Sequence, residues 1–105
     1  MKWRLRQKQK SMDKLLLKTA LSDIWALVYL AKTRDLGLEQ LDKLREAVNA
    51  VKRGWPQTDP FRDRASMLCG DVRSSGILSL PPRKLKGTEG FMGECQSLQR
   101  YLDSN

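Results

Sequence analysis

The chain has 105 residues, which is enough for one small domain. Its 20 basic and 12 acidic side chains give a net charge of +8, so the expected partner is a polyanion such as nucleic acid or an anionic membrane surface. It contains no histidine, and its two cysteines stand far apart outside any Cys-x-x-Cys motif. These features argue against a zinc site and against histidine-based acid–base chemistry. Since a glycine-rich phosphate loop is also missing, the sequence predicts a non-enzyme without metal or cofactor.

Positive charge is concentrated at the N-terminus, where residues 1–18 hold seven bases and one acid. In an extended strand, the alternating bases of residues 1–10 line one edge about 6.6 Å apart, a spacing comparable to that of backbone phosphates. We therefore predict a basic arm over residues 1–10, followed by a single helical domain over residues 11–105. The phosphate-binding residues of the arm are predicted to be Lys2, Arg4, Arg6, Lys8 and Lys10. A solubilising tail and a mitochondrial presequence are the alternatives.

The longest apolar stretch, residues 15–31 (LLLKTALSDIWALVYLA), has the three- and four-residue spacings of a helix. We predict this helix over about residues 11–34, capped by Ser11. Lys18 and Asp23 interrupt the stretch, which disfavours a membrane span. The apolar arc covers about half of the circumference of the helix, which is wider than the surface that one partner helix covers. The arc is therefore predicted to be buried either in the domain core or in a dimer interface. Its predicted core or dimer residues are Leu17, Leu21, Ile24, Leu27 and Val28.

The remaining face of this helix combines lysines with aromatic residues. Such a combination stacks on bases and contacts phosphates, and it adds auxiliary nucleic-acid-binding residues to those of the arm. The alternative is that Trp25 and Tyr29 pack under the C-terminal segment with their polar tips in water. The residues concerned are Lys14, Lys18, Trp25, Tyr29 and Lys32.

A second helix is predicted over residues 38–53, after a short connection at residues 35–37. Because the connection is short, the two helices form an antiparallel hairpin. Gly54 and Pro56 end the second helix. Its apolar seam, which again serves a core or a dimer, consists of Leu41, Leu44, Val48 and Val51.

Two short helices, over about residues 60–69 and 90–102, complete a predicted all-α fold. Asp59 and Pro60 form the start of the first of these helices, and Gly70 is expected to end it. Residues 71–90 are predicted to be mostly loop, with one short strand near residues 77–80. The basic run that follows Pro81 and Pro82 is either a second phosphate contact or a linker; it comprises Arg83, Lys84 and Lys86.

These features favour a small intracellular protein, cytoplasmic or nuclear, that binds RNA or DNA mainly through phosphates and forms a homodimer. The alternative function is a helical protein–protein interaction module, such as a viral or phage accessory protein that binds a host protein. Attachment to a membrane surface through the basic N-terminus ranks third, because the apolar content of the arm is small.

Overall fold

The computed structural model describes residues 13–78 and 89–104. Over these ranges the chain forms four helices and no strand, which confirms the predicted all-α fold. The helices are α1 (Lys14–Ala31), α2 (Leu38–Gly54), α3 (Arg62–Ser74) and α4 (Glu89–Ser104).

Each helix packs against two neighbours: α1 and α3 both contact α2 and α4. Adjacent helices are antiparallel. Lys18 near the start of α1 pairs with Asp103 at the end of α4, and Arg62 at the start of α3 donates to the carbonyl of Lys52 near the end of α2. The result is an up-down-up-down four-helix bundle, of which the predicted hairpin forms one half.

All nine residues predicted for a core or dimer face lie in the core of this single chain, and none is more than 7 % exposed. The apolar face of α1 is filled by α2 and α4 of the same molecule. Trp55, at the end of α2, is 1 % exposed and closes one end of the bundle together with half-buried Phe61. The buried side chains of α4, which dock it on the bundle, are Cys95, Leu98 and Leu102.

The first helix is shorter than predicted. It begins at Lys14, with Asp13 as its N-cap accepting a hydrogen bond from the Leu16 amide at 3.1 Å, whereas Ser11 lies outside the described residues. It ends at Ala31 instead of Arg34. Here the amides of Lys32 and Thr33 bond to the carbonyls three residues back, which tightens the last turn and ends the helix.

Helix α3 differs most from its predicted range, because it starts at Arg62 and continues through Gly70 to Ser74. Asp59 accepts a hydrogen bond from the amide of Phe61, so residues 59–61 form a turn that delays the helix. Beyond Gly70, burial of Val72 outweighs the roughly 1 kcal/mol that a glycine costs inside a helix.

The prediction of a short strand near residues 77–80 is wrong for residues 77 and 78, the two that the structure describes. Ile77 and Leu78 lie in a turn, and Ile77 is buried in the core. The predicted loop also begins later than residue 71, because α3 continues to Ser74. Residues 79–88, with the two prolines and the basic run, lie outside the described residues, and α4 follows them from Glu89 to Ser104.

Candidate nucleic-acid interface

The helical bundle carries no net formal charge. Twelve basic and all twelve acidic side chains lie within residues 13–78 and 89–104, so they balance. The whole net charge of +8 therefore belongs to the two segments outside the described residues. Its carriers are Lys2, Arg4, Arg6, Lys8 and Lys10 in one segment and Arg83, Lys84 and Lys86 in the other.

These two segments join the bundle at opposite ends. Residues 1–12 lead into Asp13 at the start of α1, beside the C-terminal end of α4. Residues 79–88 lead into Glu89 at the start of α4, which antiparallel packing places beside the end of α1. Because α1 has 18 residues, the two points of attachment are separated by about 27 Å along its axis.

The five candidate residues of α1 and its C-cap fall within about 60° of arc on the side that faces α4. They are Lys14, Lys18, Trp25, Tyr29 and Lys32. The structure thus brings these five together on one stripe, whereas the five bases of the arm lie outside the described residues.

The lysines of this stripe do not form a strong positive patch. Lys18 makes an ion pair with Asp103 of α4. Lys32 lies over the ring of Tyr29, with its Nζ 5.9 Å from the ring centroid. Lys14 is half-exposed in the first turn. The positive potential of this stripe is therefore weaker than the number of its lysines suggests.

The aromatic pair of the stripe is ordered by stacking. The rings of Trp25 and Tyr29 are nearly parallel, at 3°, with centroids 5.4 Å apart. Tyr29 is 55 % exposed, whereas Trp25 is half-buried beside α4. The expectation that both polar tips are in water is wrong for Trp25, because its indole Nε1 is inaccessible and has no hydrogen-bond partner in the described structure. Tyr29 is the accessible member of the pair.

A shallow groove of about 120 Å³ lies next to this pair, between α1 and α4. Ser22, Trp25, Gln96 and Gln99 line it, and the side-chain amide of Gln99 donates to the hydroxyl of Ser22 at 2.8 Å. Ser22, Gln96 and Gln99 were not predicted from the sequence as functional residues. The three-residue spacing of the two glutamines, which places them on one face of a helix, could have indicated that they line a common surface.

The two cysteine thiols are poor nucleophiles in this structure. Burial raises the pKa of Cys69, and it raises the pKa of Cys95 to about 12 with further contributions from Cys69 and Glu94. Both thiols therefore stay protonated at neutral pH, and a protonated thiol neither attacks substrates nor binds metal. Among residues 13–78 and 89–104, no three side chains of the metal-binding types form a cluster.

No helix in the described part of the chain is both long and apolar enough to cross a bilayer. A scan against protein-family models and searches of curated proteins and of solved structures found no match to this chain.

Proposed function

We propose that this protein binds RNA or DNA through phosphate contacts, without catalysis, in the cytoplasm or the nucleus. The observation that carries the proposal is the separation of charge: the folded bundle is neutral, and two basic segments at its opposite ends hold the entire excess of +8. Solubility alone does not require such a separation, whereas a phosphate backbone attracts concentrated positive charge.

The distance between the two attachment points sets the length of duplex that both segments reach. About 27 Å corresponds to about eight base pairs at about 3.4 Å per pair. A duplex shorter than this engages one segment, and a longer duplex engages both. Affinity is therefore expected to rise with duplex length until about this value and then to level off for a single protein molecule.

Little sequence preference is expected. Phosphate contacts position a protein on a duplex without carrying sequence information. Tyr29, the exposed half of the stacked pair, is the residue of the bundle placed to add an aromatic contact at the end of α1 that is nearer to residues 79–88.

The test is a fluorescence-anisotropy titration of the full chain with labelled duplex RNA and DNA at several salt concentrations. In one variant, the five bases Lys2, Arg4, Arg6, Lys8 and Lys10 become glutamine. In a matched control the same charge is removed from five exposed bundle positions: Arg34, Lys43, Lys52, Arg53 and Arg100.

Because each phosphate contact contributes about 0.9 to the slope of log K against log salt, removal of the arm bases is expected to lower the slope by about 4 to 5. The control is expected to lower it by less than about 1. Equal losses in both variants, or wild-type binding that does not respond to salt, would contradict the proposal. A protein partner that remains bound after nuclease treatment, with no nucleic-acid affinity, would favour the interaction-module alternative instead.

A further inference from the structure

The groove between α1 and α4 is built from two layers of facing side chains. In the first layer, the side-chain amide of Gln99 donates a hydrogen bond to the hydroxyl of Ser22 at 2.8 Å. Because the helices are antiparallel, three residues forward along α1 and three residues back along α4 give the second layer, Trp25 and Gln96. All four residues line the groove, as this register requires. The groove therefore combines one aromatic ring with two amides and a hydroxyl.

Tyr29 covers one side of the Trp25 ring. The two rings are parallel within 3°, with centroids 5.4 Å apart, and Tyr29 lies one turn nearer to the C-terminal end of α1. The groove extends from Trp25 in the opposite direction, towards Ser22, and Tyr29 is not part of its lining. The groove therefore adjoins the side of the indole that faces away from Tyr29, where a planar ring would extend the stack.

The indole N–H of Trp25 lacks an acceptor. Its Nε1 is enclosed and has no hydrogen-bond partner in the described structure. A buried donor without an acceptor costs free energy that a suitable ligand recovers. Gln96, which lies level with Trp25, is exposed, so its side chain can move aside and admit an acceptor without disturbing the core. The unsatisfied N–H therefore points to a ligand that carries an acceptor at its edge.

We propose that this groove binds a single nucleobase, stacked on Trp25 and hydrogen-bonded at its edge to the side-chain amides of Gln96 and Gln99. Nucleobases are planar, stack on aromatic side chains and carry donors and acceptors at their edges. None of the four lining residues is charged, which suits a neutral base. The volume of about 120 Å³ equals the space of about four water molecules, so one ring system fills it.

The amides distinguish a base from other small planar ligands. A glutamine amide presents a donor and an acceptor side by side, and this arrangement matches the edge of adenine. The amide nitrogen of Gln99 already donates to Ser22, so its carbonyl oxygen is the atom that accepts from an amino group of the base. An apolar ring of the same size would leave these amides and the indole N–H without partners, which costs affinity.

The inference goes beyond the proposed function, because it concerns a base instead of a phosphate and does not require any phosphate contact. A free nucleoside and an unpaired nucleotide within a strand present the same base to the groove. Bases inside a duplex are paired and stacked, so a strand offers one only where it is unpaired.

The test follows the indole N–H signals of the three tryptophans by nuclear magnetic resonance. Trp25→Phe identifies the signal of Trp25 through its loss. The full chain, purified free of nucleic acid, is titrated with adenosine, with a single strand of adenine nucleotides, and with an abasic strand of the same length that retains the phosphates. We expect a saturable shift of the Trp25 signal that depends on the presence of a base. Adenosine alone is expected to act at millimolar concentration, because one ring system makes few contacts.

A shift with adenosine supports the proposal and shows that a free nucleoside suffices. A larger shift with the adenine strand than with the abasic strand also supports it and assigns the groove to an unpaired nucleotide. The proposal is overturned if adenosine leaves the Trp25 signal unchanged and the two strands shift it equally or not at all. Binding of the abasic strand depends on phosphates alone, so its failure would contradict the proposed function without affecting the base site.

A pair of glutamine variants tests the location of the base. Gln96→Ala removes one contact at the edge and is expected to weaken the binding of adenosine or of the adenine strand about 2- to 10-fold, the effect of one hydrogen bond. Gln57→Ala makes the same change at an exposed position in the turn before α3 and is expected to leave the affinity unchanged. Equal affinities of the two variants would place the base outside the groove and would overturn the proposal.

Discussion

Tyr101 of α4 donates its hydroxyl hydrogen to Oδ1 of Asp59, 42 residues earlier in the chain, at 2.8 Å. The other carboxylate oxygen accepts hydrogen bonds from the indole Nε1 of Trp55 and from the amide of Phe61, each at 2.9 Å. The ring of Tyr101 also stacks on Phe61, with centroids 3.8 Å apart. Asp59 therefore links the end of α2, the start of α3 and the last turns of α4.

Replacement of Asp59 is expected to destabilise the bundle. Asp59→Ala leaves the buried indole N–H of Trp55 without its acceptor, and an unsatisfied buried donor costs about 1–3 kcal/mol. Tyr101→Phe removes one of the three hydrogen bonds and retains the stacked ring, so a smaller loss of about 1 kcal/mol is expected. Urea denaturation of both variants measures the difference, and an equal loss in both would contradict the assigned role of Asp59.

Stability is also expected to depend on pH through Asp59. Burial raises the pKa of this carboxyl, but the hydrogen bonds from Trp55, Phe61 and Tyr101 outweigh burial and lower the pKa below its ordinary value. The unfolded chain therefore binds the proton more readily than the native chain, so this contribution is complete above about pH 4 and is lost as the pH falls through the native pKa.

This dependence is measured by urea denaturation between neutral pH and about pH 2. Other carboxylates also titrate in that range, so Asp59→Asn is the comparison: its stability is expected to fall less steeply than that of the wild type. Parallel curves for the two proteins would show that Asp59 contributes nothing to the acid sensitivity.

Two glycines in helices are expected to respond oppositely to alanine. Gly70 is exposed in α3, and a Cβ built there meets no atom within 4 Å, so Gly70→Ala is expected to stabilise the protein by about 0.5–1 kcal/mol. At Gly54 a Cβ lies 3.1 Å from Cδ2 of Leu17, a side chain that is completely buried. The crowding at Gly54 offsets the gain in helix propensity, so Gly54→Ala is expected to be neutral or destabilising. Thermal denaturation of the two variants measures the difference in stability. Equal stabilisation by both would contradict the close contact between a Cβ at position 54 and Leu17.

Two leucines of α1, Leu21 and Leu15, differ greatly in exposure and are expected to differ in their contribution to stability. Leu21→Ala is expected to cost about 2–5 kcal/mol, because Leu21 is completely buried and its truncation leaves a cavity. Leu15 is 77 % exposed, so its replacement by alanine is expected to change stability by less than about 0.5 kcal/mol. Chemical denaturation of dilute protein compares the two, and a large loss at Leu15 would mean that its side chain is covered within the single chain.

The alkylation rates of the two thiols report whether the helical bundle opens. Cys69 and Cys95 are both buried, and burial raises the pKa of each, so alkylation of the native protein at neutral pH is expected to be slow. In urea both thiols are expected to react at the rate of an exposed cysteine. Rapid modification of one thiol without denaturant, followed by mass spectrometry, would reveal local opening at the contact between α3 and α4.

The helical class of this protein and nine of the buried residues of its core were predictable from the spacing of apolar residues in the sequence. Leu41, Leu44, Val48 and Val51 recur at helical intervals, and such periodicity is a local property that needs no knowledge of distant residues. The excess of basic residues near the N-terminus is likewise visible without a structure. The proposed contact of the arm with phosphates remains a prediction that rests on the sequence.

The ends of the helices and the accessibility of their surfaces depend on contacts between residues that are distant in the chain. Helix α3 continues past Gly70 because Val72 is buried in the core. Asp59 was predicted to cap a helix at Pro60, but it accepts a hydrogen bond from Tyr101, which is distant in the chain. The ion pair between Lys18 and Asp103 likewise joins residues of α1 and α4 that are far apart in the sequence. Such contacts join residues far apart in the chain, so local spacing carries no information about them. For the same reason the choice between a core and a dimer for the broad apolar arc of α1 could be made only once its neighbours α2 and α4 were in place.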